Sequence, residues 1–70
     1  MESISGIIVK IVKPKDYGFI LSESGESLYF KAVGVVRPSF DELREGMSVT
    51  FMAVDDGERK LKRAIGIITE

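Results

Sequence analysis

Five short strand-like segments, one longer connection and a length of 70 residues predict an all-β fold built as a five-stranded antiparallel Greek-key barrel of OB type. The strand segments are rich in Val, Ile, Phe and Tyr and are separated by Gly- and Pro-marked turns. A sheet this small leaves much of its backbone on exposed edges unless it closes on itself, and closure removes them. Residues 1–70 read as one domain, with no linker, repeat or low-complexity tract. Strand counting leaves an SH3-like barrel as an alternative.

The first strand covers about Ile4 to Lys13 and ends at Pro14, which has no N–H to donate to a ladder. The second covers about Lys15 to Ser22 and the third about Ser27 to Ala32. The polar segment Glu23-Ser24-Gly25-Glu26 joins them as a hairpin loop. The segment VGVVRPSFDELREG, residues 33–46, breaks the alternation. Ser39 followed three residues on by Glu42 fits a capping box, and Gly46 fits a helix stop, so one helical turn is expected over Ser39 to Glu45. The fourth strand covers about Met47 to Val54, with Val49 and Phe51 on one face. Asp55-Asp56-Gly57 is a turn signal, and the fifth strand covers about Leu61 to Ile68.

Composition narrows the function. A chain of this length buries roughly 60% of its unfolded surface, so no deep catalytic cleft is expected. Cysteine and histidine are both absent, which removes thiolate ligands and the commonest general base. The carboxylates are scattered, the adjacent Asp55 and Asp56 belong to a turn, and no nucleophile–base pair is present. The chain is therefore expected to be no enzyme and to need no metal, cofactor or small-molecule substrate. The N-terminal residues lack the basic start and apolar run of a signal peptide, and no run approaches the ~20 apolar residues of a membrane span. No membrane partner and a cytoplasmic location are expected. Net charge is −1, but residues 9–22 hold Lys10, Lys13 and Lys15 against Asp16 alone, and the acids cluster elsewhere.

Period-two alternation sorts the second and third strands into faces. Leu28 and Phe30 form a wholly apolar set and must be core, with Ile20 beside them. Lys15, Tyr17, Phe19, Tyr29 and Lys31 are left for the outside. Lysines are rarely buried, because an unpaired ammonium is costly to desolvate. Aromatics interleaved with lysines suit a single-stranded nucleic acid: each base can stack for ~1–3 kcal/mol while the cations follow its phosphates. Cross-strand aromatic pairs also stabilise a sheet with no ligand at all, and that reading stands beside the first.

These segments resemble the cold-shock domain family. KDYGFI, residues 15–20, is similar to the family's first ribonucleoprotein motif, and SLYFK, residues 27–31, to its second. LREGMSVTF, residues 43–51, matches the family's leucine-x-glutamate-glycine-x-x-valine-x-phenylalanine stretch at every fixed position. Gly6 sits at the family spacing before Lys15, and Ala64 and Ile67 fit the last strand. The resemblance implies an OB-type barrel that binds single-stranded RNA and DNA, often as an RNA chaperone or regulator. It implies Tyr17, Phe19 and Tyr29 as stacking aromatics and Lys15 as a lysine near phosphate. It also implies Phe40 as an exposed loop phenylalanine, for which packing against the barrel mouth is the alternative. The family's first-strand tryptophan and phenylalanine are replaced by Lys10 and Ile11, its motif glycine by Asp16, its histidine by Lys31, and a late proline-glutamine by Lys62-Arg63. Stacking is exchanged for charge, so Lys10, Lys31, Lys62 and Arg63 join the candidate site, and weaker, more salt-dependent binding is expected. A solvated strand lysine at Lys10 and a charged edge at Lys62 and Arg63 are the bland alternatives. A protein-interaction module that kept the barrel and lost nucleic-acid affinity is the rival function.

Overall fold

The computed structural model describes residues 3–37, 39–55, 57 and 62–69. Among these there are six strands, β1 (Ile4–Val12), β2 (Tyr17–Ser22), β3 (Ser27–Lys31), β4 (Val35–Arg37), β5 (Ser48–Val54) and β6 (Lys62–Thr69), and no α-helix. The sheet order is β3-β2-β1-β5-β6-β4, and a further β3–β6 pairing closes the first five into a barrel. Asp56 of the expected turn and Leu61, the expected start of the last strand, lie outside the described residues.

The expected all-antiparallel ladder is corrected at that closure. β1–β2, β2–β3, β1–β5 and β5–β6 are antiparallel, but β3 and β6 run parallel, with Leu28 opposite Lys62 and Tyr29 opposite Arg63. The reason is arithmetic: directions that alternate around a ring of five strands must meet once in the same sense. β4, absent from the sequence reading, continues along the same side of β6 beyond β3, with Val35 opposite Ile67. A 3-10 turn at Ala32–Gly34 bends the chain between the two.

The core is one cluster: Ile8, Ile20, Leu28, Phe30, Phe40, Leu43, Val49, Phe51, Ala64 and Ile67. Burying each of the large apolar side chains stabilises the fold by roughly 1.5–3 kcal/mol. Two glycines let the strands approach. A Cβ on Gly18 would lie 2.5 Å from the Lys10 carbonyl oxygen and 2.8 Å from the Phe30 ring, and one on Gly6 would lie 2.7 Å from the Leu21 carbonyl oxygen. All three distances are shorter than non-bonded carbon contacts allow.

The connection at residues 39–47 caps one end. Its helical turn is a short 3-10 turn, Phe40–Glu42, rather than a turn running to Glu45. The expected capping box does not form: Ser39 makes no side-chain cap, and its carbonyl oxygen accepts from the Glu42 N–H at 3.1 Å instead. The connection then returns along β1. The Ile8 N–H donates to the Met47 carbonyl at 3.0 Å, and the Gly46 N–H donates to the Ile8 carbonyl at 2.7 Å.

Candidate functional site

A β-bulge decides what the outer face of the barrel carries. Ile8 pairs with Ile20, but the next pair is Lys10 with Phe19, so Val9 is an extra residue on β1. Before the bulge, Gly6 and Ile8 face the core. After it the alternation has shifted by one, and Ile11 joins Gly18 on the inner side. Strict alternation from Ile8 would turn Lys10 inward. The bulge turns it outward, beside Phe19.

Two rows of side chains then cross the outer surface. One runs Lys10 (β1), Phe19 (β2), Tyr29 (β3) and Arg63 (β6), each residue the register partner of the next. The second runs Val12, Tyr17 and Lys31. Neighbouring members of a row stand about 5 Å apart, within side-chain reach. Tyr17 and Phe19 are half-buried, Lys10 and Lys31 are exposed, and all four are thus open to a ligand. The rings of Tyr17 and Phe19 touch edge to face, with centroids 5.7 Å apart and planes at 86°. Perpendicular rings cannot both lie flat along the surface, so this pair offers one broad ring face and one ring edge in any given direction.

The remaining expected residues fall differently. Tyr29 faces outward as alternation requires, yet it is only 4% exposed, which corrects its place as an open stacking ring. Phe19 and Arg63 flank it on both sides at register spacing, and barrel closure is what brings Arg63 there. Tyr29 acts as the packed floor between them. Phe40 is 7% exposed, which corrects its place as an exposed loop phenylalanine. It packs into the barrel mouth, its ring edge-on to core Phe30 at 6.1 Å. Lys15 lies in the 3-10 turn Lys13–Lys15, ahead of a β2 that starts at Tyr17, so strand alternation does not carry it onto the face. Lys62 is paired in register with core residue Leu28, on the opposite side of the sheet from Arg63, and its ammonium lies 4.0 Å from Glu26.

Asp16 explains its own position. It adopts the left-handed conformation, φ 57° and ψ 43°, closing the turn through its N–H to the Lys13 carbonyl at 3.1 Å. Glycine takes this conformation without a Cβ penalty, whereas asparagine and aspartate are the side chains that tolerate it best. Its carboxylate is exposed next to the first ring of the face.

Arg63 contributes a group that the sequence reading treated only as charge. Its Nε is buried and has no hydrogen-bond partner among the described residues. This nitrogen is thus held in the sheet without a partner among the described residues. Beside the rings the face continues as apolar surface: Ile7 and Leu21 are register partners, and with Val9 each is between 42% and 49% exposed. Alternation placed Leu21 beside Phe19, but the matching residues on β1 needed the register.

Among the described residues no helix is long and apolar enough to cross a membrane, and no group of three or more acidic side chains could hold a metal ion. No protein-family model matches the chain, and no curated protein matches it in sequence.

Proposed function

We propose that this barrel is of OB type, of the cold-shock kind, and that it binds single-stranded RNA or DNA on the face formed by β1, β2 and β3, in the manner of an RNA chaperone or regulator. The observation that carries the reading is the row Lys10–Phe19–Tyr29–Arg63 with Tyr17 and Lys31 beside it. Two accessible rings lie between cations on three sides. A base stacks on the exposed ring of the Tyr17–Phe19 pair, and Lys10, Lys31 and Arg63 take the phosphates on either side of it. With Tyr29 covered and Phe40 in the core, stacking supplies less of the affinity and charge supplies more, so binding is weak and falls steeply with salt.

Titration of labelled pyrimidine-rich oligonucleotides at low and moderate salt tests this. Saturable binding at low salt that weakens as salt rises is expected. A second reading, a protein-interaction module on the same barrel, is favoured by the exposed Ile7, Val9 and Leu21 beside the rings. Absence of saturable oligonucleotide binding at low salt would assign the face to that reading.

A further inference from the structure

Two cations meet at the barrel mouth on one backbone carbonyl oxygen. Lys13 Nζ donates to the Asp41 carbonyl oxygen at 3.2 Å, and an Arg44 terminal nitrogen donates to the same oxygen, also at 3.2 Å. The two charged groups are therefore no further apart than the sum of those distances. Neither makes an ion pair among the described residues. Arg44 also donates to the Leu43 carbonyl at 3.0 Å, but neutral carbonyl oxygens offset little of two like charges held so close, and an anion between them would offset both. The nearby carboxylate of Glu45 is engaged elsewhere, its Oε2 accepting the Ile11 N–H at 3.3 Å. That N–H needs a partner because β1 pairs with β5 only through Ile7.

The pair borders an open groove of about 420 Å³ lined by Ile11, Lys13, Leu43, Arg44 and Glu45. Ile11 and Leu43 give it apolar walls, Lys13 and Arg44 line it with positive charge and Glu45 with negative charge, and its size is that of a small-ligand cleft. It is also continuous with the proposed binding face. Lys13 directly follows Val12, the register partner of Tyr17, and the Lys13 carbonyl closes the turn that leads into Tyr17.

We propose that Lys13 and Arg44 form a phosphate-binding subsite, and that it takes a backbone phosphate of a single strand leaving the Tyr17–Phe19 pair across the barrel mouth. The sugar or base of that nucleotide covers Ile11 in the groove. The second half of this statement rests on the function proposed above; the phosphate site itself does not.

The test uses the whole chain and the double variant Lys13→Gln/Arg44→Gln. Both residues are exposed and outside the aromatic face, and unchanged thermal unfolding would verify that the variant folds. Affinities are measured for oligonucleotides of ~4 and ~8 nucleotides, lengths spanning the lower part of the range one such barrel covers. The variant is expected to bind the longer strand about tenfold more weakly, with a salt slope shallower by ~0.7, and to bind the shorter strand unchanged. Equal affinity and slope in both proteins for the longer strand would overturn the proposal. In parallel, pyrophosphate is titrated against chloride at matched ionic strength, followed by backbone amide shifts at residues 11–15 and 41–46. Saturable shifts in the wild type that vanish in the variant support the site; no saturable shift overturns it. Pyrophosphate binding with no oligonucleotide binding at either length would sink the proposed function and the strand's path while leaving the phosphate site standing.

Discussion

Two aromatic pairs occupy opposite sides of the same barrel wall. Tyr17 and Phe19 meet outside, with centroids 5.7 Å apart, and Phe30 and Phe40 meet inside at 6.1 Å, both edge to face. The ring contacts are alike, and the surroundings separate them. The inner pair is enclosed by Ile8, Leu28, Phe51 and the other core side chains. The outer pair is half-open and has Lys10 and Lys31 as register neighbours. Ring geometry therefore says nothing about whether an aromatic serves the fold or a ligand. Exposure and charged neighbours make that distinction, and the two pairs should respond oppositely to mutation.

The largest effect is expected inside. Phe30→Ala should lose about 3–5 kcal/mol, a third or more of the roughly 4–10 kcal/mol that a domain of this size has in total, and chemical denaturation should show a midpoint far below that of the wild type. Phe40→Ala should destabilise by about 3 kcal/mol and leave oligonucleotide affinity of the remaining folded protein unchanged. A selective loss of affinity instead would place Phe40 with the outer pair. Gly18→Ala sits on the wall between the pairs. Its new methyl meets the Lys10 carbonyl and the Phe30 ring, and a loss of about 1–3 kcal/mol in the same denaturation measurement is expected.

On the outside the order reverses. Phe19→Ala should cost only about 1 kcal/mol of stability, since it removes one half-exposed edge contact. Its oligonucleotide affinity should fall by ~1–3 kcal/mol, read by titration at fixed salt. The smallest effect, and the only favourable one, is expected at Asp16. Asp16→Gly relieves a left-handed side chain and removes a negative charge beside Tyr17. Thermal unfolding should show a gain of about 0.5–1 kcal/mol. Affinity should rise modestly at low salt, and the gain should shrink as salt screens the removed charge.

Much of the frame was legible because strands carry period-two patterns and turns carry Gly and Pro. Five strand positions, the core roles of Ile20, Leu28 and Phe30, and the outward direction of Tyr17, Phe19 and Tyr29 all follow from alternation. The three-residue β4 escaped, because Val35–Arg37 is too short to show any period and pairs only with the far end of β6. The expected cap at Ser39 failed because a single 3-10 turn satisfies its backbone without the side chain.

Alternation along a strand reports which way a side chain points, and this the sequence determined by itself for β2 and β3. What covers that side chain comes from residues distant in the chain, and only the tertiary structure decided it. Closure of five strands made one parallel junction and set Arg63 beside Tyr29 in register, and with Tyr29 covered two of the three expected rings stay open. The bulge at Val9 turned Lys10 outward, and the 39–47 connection folded Phe40 into the mouth and set Arg44 beside Lys13. Each of these depends on register between segments, which no local pattern encodes.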